Sequence, residues 1–247
     1  MEKKYIITRR TALITGISAV AALVLPGCKR PSLPTYGNIL RMGDLLTYTA
    51  HRSLLPGQSL AKEYTSRDIS SFPATGTTNP ADESQKTFSE EYARFLRNGF
   101  EDWKLNIEGT VKRPGSYSIA DLQKFPVRKQ ITRHSCEEGW TAIAEWAGVP
   151  LSLVLKHAGI LETARFVNFY AYDGYMESID MLDAFHPQTI LTFGMNGNNL
   201  PIPHGAPLRI RVETQIGYKS VKYLQRILVT DKFVDTGDSG WAWYTGI

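Results

Sequence analysis

The chain has 247 residues and only two cysteines, Cys28 and Cys136, which excludes a disulfide framework as the source of its stability. It has no C-x-x-C-H run, so it carries no covalently attached haem of its own. No internal repeat and no low-complexity tract is present, which excludes solenoid and collagen-like architectures. An excess of one charge sign is also missing from most of the chain. The formal charge is +4, but residues 1–27 hold Lys3, Lys4, Arg9 and Arg10 against Glu2 alone, leaving 24 basic and 23 acidic residues beyond them. The basicity is therefore an N-terminal feature and argues against a nucleic-acid surface. With 43% hydrophobic and 21% charged residues the composition is that of an ordinary folded protein. A chain of this size buries roughly 70% of its unfolded surface in one core.

Residues 1–28 have a basic opening, the pair Arg9-Arg10, and an uncharged apolar stretch over residues 11–25. This is the layout of an export signal, and the arginine pair resembles a twin-arginine address, used for proteins exported already folded. A single N-terminal membrane anchor is the alternative, because about 18 uncharged residues approach a membrane span. Gly16, Pro26 and Gly27 weaken such a helix. Leu25-Pro26-Gly27-Cys28 resembles a lipoprotein cleavage box with Cys28 as the lipidated residue, which would attach the protein to a membrane. Otherwise Cys28 belongs to the tail of the signal. Either way the expected location is the periplasm or cell envelope.

Export leaves Cys136 as the lone thiol of an oxidising compartment. A buried inert cysteine is the plain reading. Its neighbours Arg133, His134, Glu137 and Glu138 are ionisable, however: Arg133 and His134 favour a thiolate while Glu137 and Glu138 oppose it. A sulfur needed as thiolate is a nucleophile or a metal ligand.

Residues 29–70 are polar and dotted with proline, an extended arm, and residues 71–84 are a loop rich in Ser, Thr, Pro, Gly and Asn. Residues 89–98 (SEEYARFLRN) place Tyr92, Phe95 and Leu96 on one helical face, capped by Ser89 or Thr87. Residues 103–111 (WKLNIEGTV) alternate as a half-buried strand. Ser118 caps a short helix over residues 119–124, and a strand over residues 129–133 runs into the Cys136 loop. Residues 151–158 form a helix stopped by Gly159, residues 165–172 a strand, and residues 178–184 a helical turn. Further strands lie at residues 189–193, 208–213 and 221–230, the second with Leu208, Ile210 and Val212 inward and Arg209, Arg211 and Glu213 outward. Short strands among short helices indicate an α+β domain. The organisation expected is a signal over residues 1–28, an arm and loop over 29–88 packed onto the domain, and the domain itself over 89–247.

The second informative stretch is His204-Gly205-Ala206-Pro207-Leu208-Arg209 followed by Gly217-Tyr218-Lys219-Ser220-Val221-Lys222-Tyr223. Gly205 and Gly217 allow close backbone approach, Arg209 offers a planar fork, and Ser220 a hydroxyl, the parts of an anion site. Two solvated strand faces are the plainer alternative.

Together these segments resemble the sulfite-oxidase family of molybdenum enzymes: residues 132–140 its cysteine loop, and residues 204–209 and 217–223 its HGxPxR-like and GxKxVK-like segments. Residues 175–180 and 186–189 resemble the intervening stretch of its bacterial exported branch, which includes periplasmic methionine-sulfoxide reductases. The resemblance runs from about residue 46 to residue 247 and implies a sulfite-oxidase-type molybdopterin-binding fold. It implies that Cys136 ligates molybdenum and that His204, Arg209, Lys219, Ser220, Lys222 and Thr75 hold the pterin cofactor. A soft thiolate suits that metal. It implies two-electron oxygen-atom transfer on a small sulfur or nitrogen oxyanion or oxide, with electron transfer to or from an external carrier such as a haem protein. Cys136, His134 and Arg133 would form the reacting centre, the last two drawing in an oxyanion. Phe72-Pro73-Ala74-Thr75-Gly76 stands where the branch has an arginine-containing segment, so no arginine contact comes from that loop.

Two rivals remain at this point: an enzyme using Cys136 as nucleophile with His134 or His204 as base, and an envelope lipoprotein binding an anion through Arg209 and Lys222. His186-Pro187 reads as a structural turn, His157 as a packing residue, and His51-Arg52 as an arm contribution to the pocket.

Overall fold

The computed structural model describes residues 59–234 together with Leu46, Thr49, Ala50, Ser53 and Leu54. The segment read as an export signal, Cys28 and the His51-Arg52 pair lie outside the described residues. Two five-stranded sheets carry the architecture. The first has the order β2-β1-β10-β5-β6, built from β1 (Leu105–Gly109), β2 (Gly115–Tyr117), β5 (Phe166–Ala171), β6 (Met176–Asp180) and β10 (Leu224–Thr230). Its central strand β10 runs parallel to β1 and antiparallel to β5. The second joins β3 (Arg128–Ser135), β4 (Thr141–Pro150), β7 (Ile190–Met195) and β8 (Asn198–Asn199) in that order, with β9 (Arg209–Arg211) also paired to β7.

Local chemistry explains most boundaries. Ser89 caps the helix Glu90–Arg97 by accepting from the Tyr92 amide, and Tyr92 and Phe95 on its inner face are buried. Ser118 and Asp121 form a reciprocal capping box on the helix Ile119–Leu122. The helix Leu151–Ala158 ends at Gly159, which takes the left-handed φ of 73° that a side chain resists. These three agree with the sequence reading. Residues 178–184 do not: Met176–Asp180 is a strand, registered on β5 from Phe166↔Asp180 to Tyr170↔Met176, and only Met181–Ala184 is helical, capped by the Asp180 side chain. Pairing to an existing strand overrides the weak local preference.

The larger core holds Trp103, Leu105, Ile107, Val154, Leu155, Val167, Phe169, Ile210, Tyr223 and Ile227, drawn from the first sheet and its flanking residues, the helix Leu151–Ala158 and β9 of the second sheet. A smaller one gathers Ala144, Trp146, Ile190, Met195 and Leu200, with Phe72 from the arm packed against it. The arm meets β3 and then β4: the Tyr64 amide donates to the Ile131 carbonyl of β3 at 2.8 Å, and the Ser70 amide to the Ile143 carbonyl of β4 at 3.0 Å. His186 is a structural residue, buried, its Nε2 3.1 Å from the Ser59 carbonyl. His157 packs edge-on against Tyr117 and Phe125. Among the described residues no helix is long and apolar enough to cross a membrane.

Candidate active site

Strand alternation decides which residues beside Cys136 can work on a common cavity. On β3 the buried side chains are Gln130, Thr132 and His134, so Arg133 between them is exposed on the opposite face. Just past the strand, the Cys136 amide donates to Trp140 O at 2.9 Å and the Gly139 amide to Cys136 O at 3.1 Å. Gly139 has a φ of 89°, which lets this tight loop close. The loop presents Cys136 to a cavity of about 460 Å³ whose lining includes Thr75, His134, Cys136, Glu137, Glu138, Asp173, His204, Arg209, Ser220 and Lys222. Seven of the nine side chains singled out from sequence therefore meet in one place: Cys136, His134, Thr75, His204, Arg209, Ser220 and Lys222.

Arg133 and Lys219 do not line it. Arg133 is excluded by the strand period. Lys219 is buried, its ammonium bound to Glu177 Oε1 at 2.9 Å and to the Ser178 carbonyl at 2.8 Å, so it braces the Gly217–Lys219 turn from behind. Burial pushes the Glu177 carboxyl up although Lys219 opposes the shift.

Lys222 lines the cavity in an unexpected way. Its Nζ donates to the carbonyl oxygens of Thr75 at 2.8 Å, Thr77, and Pro203 at 3.2 Å. An ammonium has three donors, so Lys222 fastens the arm segment 75–77 to the turn Ile202–His204 and offers a ligand its charge rather than a free N–H. Tyr223 adds a second tie, its hydroxyl donating to Thr77 O at 3.0 Å.

Arg209 and Arg211, read as outward from sequence, are 4% and 1% exposed. The face of β9 that would meet solvent in an open sheet is covered by Trp146, whose ring lies 5.3 Å from the Arg209 and 4.6 Å from the Arg211 guanidinium carbon. Arg211 pairs with the buried Glu213 carboxylate at 2.8 Å. Among the described residues Arg209 has no carboxylate partner: it donates to the carbonyls of His204 at 3.0 Å and Ser220 at 2.8 Å, and its buried Nε has no partner. Burial, then the neighbouring Arg211, pushes Arg209 down to about 9. A buried guanidinium with an orphan donor on a cavity wall is a site built for an anion.

His204 is drawn down to about 4 by burial and then by Arg209 and Lys222, so it is neutral at pH 7. Burial, with Arg211, Arg209 and His204 close by, holds His134 well below the usual imidazole range. Burial also pushes the Cys136 thiol up, and the Glu137 carboxyl adds to this against the opposing Glu138 backbone contact. That is the reverse of what a free cysteine nucleophile requires. Gly217 closes the wall opposite: a Cβ there would stand 2.6 Å from His134 Nε2 and 3.1 Å from Glu137 Oε2. Gly205 is held at φ 108° against Lys222. Both glycines leave room that any side chain would fill.

Sequence reasoning missed Phe72, Trp146, Arg211, Glu213 and Asp173 as parts of the site. Period-two alternation could have found Arg211, which shares a face with Arg209. The resemblance singles out the segment 72–76, but nothing in the sequence marks the ring of Phe72 as the one that meets His134, Trp140, Trp146 and His204 at 5.2 to 5.6 Å.

The donor set fits a metal bound mainly by an organic cofactor. Among the described residues no three His, Cys, Asp or Glu side chains converge to hold a metal ion. One thiol and an anion pocket are what a pterin dithiolene with a phosphate tail leaves for protein to supply. Comparison with known proteins agrees. Residues 94–236 match the family described as oxidoreductase molybdopterin binding domain. Over 146 residues the chain is 38% identical to a protein of Azospira oryzae named as protein-methionine-sulfoxide reductase subunit YedZ1, covering 58% of this chain and 56% of that one. Over 165 residues it is 33% identical to the protein-methionine-sulfoxide reductase catalytic subunit MsrP of Ralstonia nicotianae, covering 60% of this chain and 49% of the relative. The chain thus spans about half the length of the relatives it matches. The crystal structure of the sulfane dehydrogenase SoxCD from Paracoccus pantotrophus is similar at a TM-score of 0.52 and 26% identity, over 55% of this chain and 40% of that one. The chain belongs to the molybdopterin-binding oxidoreductase family, with a sulfite-oxidase-type α+β fold and molybdopterin with its molybdenum as cofactor.

Proposed function

We propose that this domain reduces a neutral sulfur oxide, with Cys136 as the protein ligand to molybdenum. His204, Arg209, Ser220 and Thr75 surround the cofactor, with Arg209 as the anion-binding donor and Lys222 holding the wall in shape. When bound, the cofactor supplies two-electron oxygen-atom transfer. A sulfoxide takes up two electrons and two protons, loses its oxygen as water and leaves as the sulfide. The electrons come singly from an external carrier such as a haem protein, and the twin-arginine-like segment delivers the loaded protein to the periplasm or cell envelope.

The observation that carries the choice of substrate is the charge beside Cys136. Glu137 and Glu138 line the cavity there, while Arg133, the expected lure for an oxyanion, is on the other side of β3. Carboxylates repel sulfite and tolerate a neutral sulfoxide, whose substituents the rings of Phe72, Trp140, Tyr175 and Tyr218 can pack. The names of the two methionine-sulfoxide reductase relatives support the same direction. The deciding experiment compares kcat/KM of the molybdenum-loaded protein for methionine sulfoxide and for sulfite with artificial electron carriers. Turnover of the sulfoxide is expected, and oxidation of sulfite without it would overturn the proposal.

A further inference from the structure

His134 is held by its neighbours on all but the cavity side. The rings of Phe72 and Trp140 lie tilted at 5.2 and 5.4 Å from its own, and Gly217, with no side chain, lies beside Nε2 and Cε1. Arg211 Nη1 donates to Nδ1 at 2.5 Å. Arg211 is itself fixed. Its Nε and Nη2 donate to the two oxygens of Glu213 at 3.1 and 2.8 Å, and Gln130 Nε2 adds a third bond to Glu213 Oε1 at 3.0 Å. Both charged side chains are buried, Arg211 at 2% and Glu213 at 0% exposure.

A guanidinium has donors and no acceptor. Nδ1 must then be the lone-pair nitrogen, and the ring proton of a neutral imidazole sits on Nε2, on the cavity side next to Gly217. We propose that the Glu213–Arg211 pair is a positioning device that sets the tautomer of His134, so that a fixed N–H donor faces the cavity beside Cys136. Without Arg211 the proton could move to Nδ1, and a lone pair would face the cavity and repel any oxygen placed there. Metal-ligand histidines elsewhere are oriented by the same logic, through the bond on the far nitrogen. Here it serves a histidine that the pairing commits to donating. The absence of a side chain at Gly217 leaves that N–H uncovered.

The proposal makes Arg211 and Glu213 positioning residues for the site, and it holds whichever substrate the domain uses. Long-range proton–nitrogen NMR of the oxidised, molybdenum-loaded protein, labelled at histidine nitrogen and assigned with a His134→Asn variant, reads the tautomer directly. A protonated Nε2 with a bare Nδ1 is expected, and a protonated Nδ1 would overturn the proposal in the native protein alone. In Arg211→Met the Nδ1 signal should leave the bare-nitrogen range. In Glu213→Gln, which keeps shape while removing the ion pair, the same signal should shift or split. Native spectra in both variants would show that the pair does not set the tautomer.

Discussion

Lys222 and Thr75 lie 147 positions apart in sequence and are joined by a 2.8 Å hydrogen bond from ammonium to carbonyl. The bond ties the arm to the late basic segment, so the cavity wall exists only when both are folded. Lys222→Met removes the donor shared by Thr75, Thr77 and Pro203, leaving Thr77 O only its bond from the Tyr223 hydroxyl. A loss of about 1 kcal/mol is expected, that of hydrogen bonds to part-buried and exposed acceptors, with amide exchange rising first in residues 72–77. Unchanged exchange there would contradict the tether.

Cys136→Ser should abolish metal retention while sparing the fold. The side chain is only partly buried, so the unfolding midpoint should move by less than about 1 kcal/mol equivalent. Molybdenum per chain, measured by elemental analysis, should fall from near one to near zero. Retained molybdenum would displace Cys136 from its proposed role.

Lys219→Met should be far more damaging than its place outside the cavity suggests. It leaves Glu177 without its ion-pair partner at 0% exposure, a change that costs about 3–5 kcal/mol in buried pairs. The double variant Lys219→Met with Glu177→Leu should recover most of that loss in urea unfolding. No recovery would assign the effect to packing.

Stability should fall as the solution is acidified below neutrality. His204 in the folded protein titrates at about 4 against an ordinary value of 6.5, so between these limits the unfolded chain binds the extra proton. Its contribution is complete above about 6.5 and is lost progressively down to about 4. The thermal midpoint measured across that window should slope less in His204→Gln than in the native protein.

Charge near Cys136 should govern discrimination between substrates. Glu138→Gln is expected to raise kcat/KM for sulfite several-fold while leaving a neutral sulfoxide within about twofold, and Arg133→Ala should leave both within about twofold. A large loss in Arg133→Ala would restore the oxyanion reading.

Much of this was legible beforehand because it is local. The helix Leu151–Ala158 ends at a glycine that permits its terminal φ, and the Cys136 loop is written in adjacent letters. What escaped depends on distant partners. Arg209 and Arg211 looked solvent-facing because alternation reports which residues share a face and is silent on what covers it; Trp146 from another strand does so here. The same alternation does separate His134 from Arg133, and reading it through to the end of β3 puts Arg133 on the exposed face. Lys222 had the right neighbourhood and a different occupation, because its three carbonyl acceptors come from segments up to 147 residues away.

The middle position of β10 in the first sheet governs the order in which a growing chain can finish folding. Until Leu224–Thr230 emerges from the ribosome, β2-β1 and β5-β6 are separate hairpin-sized pieces with no strand between them. The hydrophobic flank of each stays open until nearly the last of the described residues has been made. Cofactor loading must therefore wait for synthesis of that segment, and shortened chains ending before residue 224 should be captured by chaperones rather than filled with metal.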